Sequence, residues 1–289
     1  MAEPLRRIAV LTRHTSDEAG EALERLARDG ERLGLQLLAP QDEADKHPRL
    51  AEIGYEIVDE QALRSVDACL VLGGDGTILR ALGRLLGSPV PTLGVNYGTV
   101  GFLAALARDE WWGSLQEMLE GSYRLVELLT VDVHINGERF TAVNDVVLSR
   151  VLPRHVLELQ YRVSGVTVGE MLCDGLIVAS PTGSTAYNLS CGGPIVEWDA
   201  HVLVLNFIAP HSLGFRPVVL RPDHEITVRN VSDTQRAEVV ADGDTVGCVG
   251  QGDEVRVAAG EQRARLLVRD KGSFYQNVQE KLFHRHDAR

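Results

Sequence analysis

A short apolar run, Ala68-Cys69-Leu70-Val71-Leu72, ends in Gly73-Gly74-Asp75-Gly76, and a helical pattern from Thr77 to Leu86 follows at once. A buried strand that turns at glycines straight into a helix is one half of a βαβ unit. The flanking sequence agrees. Arg7 to Thr12 reads as a buried strand, Ser16 to Leu33 as a helix capped by Ser16 or Asp17 and closed by Gly34, and Pro91 to Val95 as a further strand. The polar stretch Gln41 to Arg49 reads as an exposed loop. This alternation predicts a parallel sheet covered by helices.

From about Leu125 the period changes. Val131, Val133 and Ile135 alternate with polar residues, Asn136-Gly137 supplies a hairpin turn, and Phe140 to Leu148 reads as the return strand. Leu157, Leu159, Tyr161 and Val163 alternate again before Ser164-Gly165, and short strands recur at Ile226–Val228, Ala237–Val239, Val255–Val257 and Arg263–Val268. This predicts a β-rich second domain built as a sandwich. Phe274, Val278 and Leu282 then form one helical stripe, which is expected to dock back on the first domain.

Composition excludes several classes. The formal net charge is -12, which argues against nucleic-acid binding, where a basic face supplies most of the affinity. Any phosphate must then be held by backbone N–H groups, a few arginines or a divalent metal. The longest apolar stretch, around Val202 to Ala209, is far too short for a membrane span. Cys69, Cys173, Cys191 and Cys248 have no metal-finger or CxxC spacing and read as reduced thiols. Cytoplasm is the expected compartment.

Three segments carry candidate chemistry. In the turn Gly73-Gly74-Asp75-Gly76-Thr77, the glycines allow close backbone approach and the helix start offers free N–H groups to a phosphate. It is neither a GxxxxGK[ST] loop nor a GxGxxG fingerprint. A plain strand-to-helix turn with Asp75 or Thr77 as N-cap is the alternative. A carboxylate repels phosphates, so Asp75 makes sense as a metal ligand or a proton acceptor. Arg80 and Arg84 could reach a phosphate, although Arg84 reads better as part of a solvated face. Asn144-Asp145 interrupts an apolar strand, where polar side chains must be paired if buried; a bulge or strand end is the alternative. Asp174 to Pro194 is a strand running into a loop of hydroxyls, glycines, Tyr187 and Asn188, which suits a nucleoside. Ser184 lacks the GxSxG setting of a hydrolase nucleophile. His155 and His211 read as structural, and Asp242-Gly243-Asp244 as a hairpin turn.

Together with Asn96-Tyr97-Gly98-Thr99-Val100-Gly101-Phe102-Leu103, Pro210-His211-Ser212-Leu213 and Arg216-Pro217, these segments resemble the NAD kinase family in kind and order. The GGDGT turn alone is shared with lipid kinases and 6-phosphofructokinases; the DGLIVASPTGSTAYNLS run is far more specific. The chain departs from the family pattern at Val100, Asp145, Asn206-Phe207 and Asp244.

The resemblance implies an α/β plus all-β fold: a Rossmann-like α/β domain over 1–122, a β-sandwich dinucleotide-binding domain over 123–262, and a tail over 263–289 that returns to the first domain. It implies transfer of the ATP γ-phosphoryl, or a phosphoryl of polyphosphate, to the 2′-hydroxyl of the adenosine ribose of NAD, giving NADP. Asp75 would accept the proton, and Gly73, Gly74, Gly76 and Thr77 would form the phosphate loop. Asp75, Gly76, Arg80, Asn144, Asp145 and Asp174 would bind NAD. So would Thr185, Ala186, Tyr187, Asn188, Leu189 and Ser190, with His155 and Asp244 near contact positions. A divalent cation, Mg²⁺, and a homodimer or homotetramer are also implied; the resemblance names no metal ligands. A lipid or sugar kinase, a non-catalytic dinucleotide sensor and a nicotinamide oxidoreductase are the competing readings. The 174–194 loop speaks against the first, Asp75 against the second and the lack of GxGxxG against the third.

Overall fold

The computed structural model describes residues 4–13, 17–97, 101–152, 155–269 and 273–282. Ser16 and Gly98-Thr99-Val100 of the sequence motifs lie outside the described residues. The chain divides into two compact units, Met1–Glu127 with Ala264–Arg289, and Leu128–Arg263.

The first unit is built on β1 (Arg7–Thr12), β2 (Gln36–Pro40), β3 (Glu56–Val58), β4 (Ala68–Gly73), β5 (Thr92–Asn96), β6 (Leu106–Ala107) and β7 (Arg124–Leu128). The late strand β20 (Ala264–Val268) joins them in the order β3-β2-β1-β4-β5-β20-β7, with β6 beside β5. Neighbours from β3 through β20 run parallel. Strand β4 is buried along its whole length, as its unbroken apolar run requires of a parallel strand covered on both faces. Arg124 to Leu128 pairs in this sheet, so the α/β unit extends past the change of pattern read in the sequence.

The helices of this unit are α1 (Asp17–Gly30), α2 (Gln41–Lys46), α3 (Glu60–Leu63), α4 (Asp75–Arg84) and α5 (Trp111–Leu119). Helix α2 corrects the expected exposed loop. Its Glu43 is 2% exposed, accepts the Thr12 hydroxyl at 2.6 Å and receives Lys46 Nζ at 2.6 Å. The polar composition hid a buried, paired carboxylate. Helix α1 closes through a short 3-10 turn on Gly34 at φ 68, the left-handed conformation glycine tolerates best.

The second unit holds two antiparallel sheets. Strands β8 (Val131–Ile135), β9 (Glu138–Ala142), β10 (Asp145–Arg150), β11 (Leu157–Val163), β12 (Val166–Cys173) and β13 (Gly175–Ala179) come first; α6 (Tyr187–Ser190) and β14 (Leu203–Ile208) to β19 follow. Of these last, β15 is Val218–Leu220, β16 Ile226–Asn230, β17 Ala237–Ala241, β18 Asp244–Val249 and β19 Glu254–Ala259. The sheet orders are β15-β14-β13-β10-β17-β18 and β12-β11-β16-β19-β8-β9. Inward residues of both sheets, among them Val133, Leu148, Leu159, Leu176 and Phe207, form one core, as a sandwich requires.

The expected single return strand from Phe140 to Leu148 is in fact two. Strand β9 pairs with β8 in one sheet, β10 pairs with β13 and β17 in the other, and Val143-Asn144 is the crossing. The polar pair therefore marks a strand end, one of the two readings left open. Helix α7 (Ser273–Leu282) lies with the first unit, where Asn277 Nδ2 donates to the Phe102 carbonyl at 2.7 Å. Among the described residues no helix is long and apolar enough to cross a membrane.

Candidate functional site

In the first unit the site centres on the turn between β4 and α4. Gly74 is the N-cap of α4 and no side chain caps the helix, so neither Asp75 nor Thr77 is the N-cap of the alternative strand-to-helix turn. Asp75 instead turns to the segment after β5. Its Oδ2 accepts the N–H of Phe102 at 2.8 Å and its Oδ1 that of Leu103 at 3.0 Å. Gly101 lies so close that a Cβ there would sit 2.1 Å from Asp75 Oδ1. Gly73 is needed for a similar reason, since a Cβ would meet the Thr77 side chain at 2.7 Å. Thr77 is buried, while Gly76 and Arg80 are exposed.

Beside α4 lies a cleft of about 390 Å³, lined by Thr12, Arg13, Lys46, Thr77, Arg80 and Arg84 and by the carboxylates Asp42 and Glu43 among others. It sits at the carboxyl ends of β1 and the β4–α4 turn. There the strand order reverses direction, the usual ligand crevice of an open α/β sheet. Arg84 lies on a partly exposed face and is ion-paired there: it binds Asp42 at 2.9 and 3.2 Å and Glu60 through Nε at 3.0 Å. Its pKa is raised by these carboxylates against the opposing effect of burial. Arg13 and Arg80 make no ion pair among the described residues and remain available to an anion.

In the second unit the pair Asn144-Asp145 sits where the chain changes sheets. Asn144 Oδ1 is buried with no hydrogen-bond partner, and so is Thr182 Oγ1; such atoms are costly unless something fills the place. Asp145 is 7% exposed. Burial, then the neighbouring charge of Asp242, pushes its pKa up to about 7. Its charge in turn contributes to the raised pKa values of Tyr187 and Cys191, where burial is the larger cause.

The loop after β13 is tightly self-bonded. Ser184 is buried and its hydroxyl donates to the Pro181 carbonyl at 2.6 Å, which gives it a structural place in the loop. Thr185 Oγ1 donates to the Thr182 carbonyl. Asn188 is 0% exposed. Its Nδ2 donates to the Ser184 and Pro194 carbonyls, and its Oδ1 accepts from Asn206 Nδ2, all at 3.1 Å. The Asn188 side chain is thus spent inside the loop, and Asn206, to which the sequence assigned no role, is its anchor. Tyr187 and Ser190 are exposed, and Thr185, Ala186 and Leu189 half-buried. Asp174 is held by Arg150 through Nε at 2.9 Å and a terminal nitrogen at 3.1 Å. His155 and Asp244 are exposed. Among the described residues no group of three His, Cys, Asp or Glu side chains could hold a metal ion.

An α/β unit with a glycine turn at its ligand crevice, carrying a sandwich with orphaned polar atoms beside a hydroxyl-rich loop, defines a two-domain nucleotide-binding enzyme. Family models for the ATP-NAD kinase N-terminal and C-terminal domains match residues 11–123 and 143–268. The chain belongs to the NAD kinase family. It is 34% identical to an NAD kinase of Methanothermobacter thermautotrophicus over 276 residues, 96% of each chain. Against an NAD kinase of Geobacter sulfurreducens the identity is 36% over 232 residues, 78% of this chain and 81% of the relative.

Among solved structures, an NAD kinase from Archaeoglobus fulgidus in complex with ATP has a TM-score of 0.74 and 28% identity, covering 94% of this chain and 98% of that one. Yeast NADH kinase complexed with NADH has a TM-score of 0.85 at 23% identity, covering 99% and 90%, a likeness of fold.

Proposed function

We propose that the chain transfers the γ-phosphoryl group of ATP to the 2′-hydroxyl of the adenosine ribose of NAD, with Asp75 as the proton acceptor. The observation that carries this reading is that the two halves of the chain match the two domains of one kinase family in order, Asp75 lying in the first and Asn144-Asp145 in the second. The hydroxyl oxygen bonds to the γ-phosphorus, the bond to the leaving ADP oxygen breaks, and the hydroxyl proton passes to Asp75. A loose transition state needs little early deprotonation, so Asp75 first orients the hydroxyl and takes the proton late. Two amide bonds to its oxygens leave further lone pairs for that work, since a carboxylate has roughly four acceptor sites.

Arg13 and Arg80, with the start of α4, are assigned to phosphate. Asn144, Asp145, Asp174 and the exposed part of 185–190 are assigned to the dinucleotide. With no three-residue ligand set among the described residues, a divalent cation such as Mg²⁺ fits as an ion carried by the triphosphate, where it neutralises charge. The same reading assigns the protein to the cytoplasm as a homodimer or homotetramer.

The test is purified protein with NAD, Mg²⁺ and either ATP or polyphosphate, with NADP measured. NADP is expected to form. Asp75→Asn is expected to lose turnover by about a hundred-fold or more while NAD still binds. Near-normal turnover in that variant removes Asp75 from the chemistry. NAD binding without NADP from either donor leaves a dinucleotide sensor.

A further inference from the structure

We propose that Asp242 is a positioning residue for the dinucleotide, its carboxylate fixing the backbone from which Asn144 and Asp145 project. The proposal rests on the reading that these two side chains bind NAD. Asp242 Oδ2 accepts the N–H of Val143 at 2.6 Å, and its Oδ1 accepts those of Asn144 at 2.7 Å and Asp145 at 3.3 Å. In return the Asp242 N–H donates to the Asp145 carbonyl at 3.1 Å. The residue begins the turn between β17 and β18, with φ 50 at Asp242 and φ 92 at Gly243. A two-residue hairpin of this kind accepts Asn, Asp or Gly at that position. A half-buried carboxylate beside a second carboxylate, Asp145, is costly, and an Asn would serve the turn equally well.

The crossing between sheets is what calls for the carboxylate. Strand β9 ends at Ala142 and β10 starts at Asp145, so Val143 and Asn144 have left one ladder before joining the other. Their amides would be unpaired without Asp242. From the other side, Ser180 donates its N–H to the Asn144 carbonyl at 2.8 Å and its hydroxyl to the Val143 carbonyl at 2.6 Å. Gly183 packs so closely that a Cβ would sit 2.0 Å from the Asn144 carbonyl oxygen. Every backbone polar group from Val143 to Asp145 is thereby taken, with Asp145 carbonyl bonded to Asp242. Only the side chains of Asn144 and Asp145 are left for a ligand, held on a peptide that cannot turn. The buried, unpaired Asn144 Oδ1 is the atom this clamp would aim.

Asp242→Asn puts an NH₂ group against one of the three amides and turns an attraction into a repulsion. The KM for NAD is expected to rise about ten-fold or more, with kcat and the KM for ATP within about three-fold of the parent. Asp132→Asn is the control, a carboxylate 5% exposed in the same unit that accepts the Thr141 hydroxyl at 2.6 Å. It is expected to lower the melting temperature and leave both KM values alone. An unchanged NAD KM in folded Asp242→Asn overturns the proposal, as do equal effects in both variants. Asn144→Ala separates the two levels: a normal NAD KM there sinks the site reading itself. A raised value there with a normal Asp242→Asn sinks only the clamp. If Asp242→Asn does not fold, amide exchange in the parent protein without NAD decides. Slow exchange at residues 143–145 supports the clamp, and exchange at the rate of an open loop overturns it.

Discussion

The Asp75 carboxylate accepts the backbone N–H of Phe102 at 2.8 Å, so the candidate proton acceptor and the segment after β5 hold each other in place. Charge-assisted bonds of this kind are shorter and stronger than neutral ones. They fix the rotamer of Asp75 before any substrate arrives, which is the preorganisation that phosphoryl transfer rewards.

Gly101 is the sensitive point of that arrangement. A methyl there would sit 2.1 Å from Asp75 Oδ1, so Gly101→Ala must push the carboxylate aside. Turnover is expected to drop about ten-fold or more with NAD affinity unchanged, because displacement by an ångström at a reacting group is costly. Steady-state kinetics on the alanine variant decide it; parent-like kcat would show that Asp75 can move without consequence.

Asn277 on α7 reaches the same segment from the C-terminal end, through the Phe102 carbonyl at 2.7 Å, and Lys281 lies 4.5 Å from the Phe102 ring centroid. Asn277→Ala removes one net hydrogen bond, worth about 1 kcal/mol. We expect a few-fold loss in kcat, about two- to five-fold, with an unaltered KM for NAD, since the lost bond loosens the support of Asp75 rather than the dinucleotide site. A variant that loses NAD affinity instead, or keeps full kcat, contradicts this coupling.

Asp145 gives a pH dependence with a defined sign. Its pKa is raised to about 7 in the fold by burial and by Asp242, from an ordinary value of 3.8. Tyr187 and Cys191 also lie within its field. Between those two values the unfolded chain has released a proton that the folded chain retains, so stability falls as pH rises from about 4 to about 7 and then levels. Asp145→Asn abolishes this component. Its advantage should be absent near pH 4 and reach the order of 2 kcal/mol or more by pH 8. Denaturant melts across that range give the answer, and a parent whose stability relative to the variant rises with pH would falsify the assignment.

Much of this was legible because it is periodic. The unbroken apolar run of β4 and the strict alternation of β8 and β11 each leave one fold class open. The glycines of the turn and of Gly101 announce close approach without saying to what. The sequence could not say that Asp75 would bond forward across 27 residues to Phe102. Nor could it show that Glu43 would be buried, because a helix as short as α2 has too few residues to display a period. Asp242 read as a turn residue and is one; its second task depends on where Val143 crosses between sheets, which is fixed by tertiary packing. Asn206 stayed without a role for the same reason: its partner Asn188 is 18 positions away, with no spacing rule to join them.

Strand β20 lies between β5 and β7, yet β5 and β7 are synthesised before the sandwich and β20 after it. On the ribosome the early sheet must therefore wait with an open slot beside its edge strand β7 while the residues of the sandwich, Leu128–Arg263, emerge as one contiguous compact stretch. The first half of the molecule to be born is the last to be finished, and any nascent chain that stalls in between carries an unfilled edge ready to pair with the wrong strand.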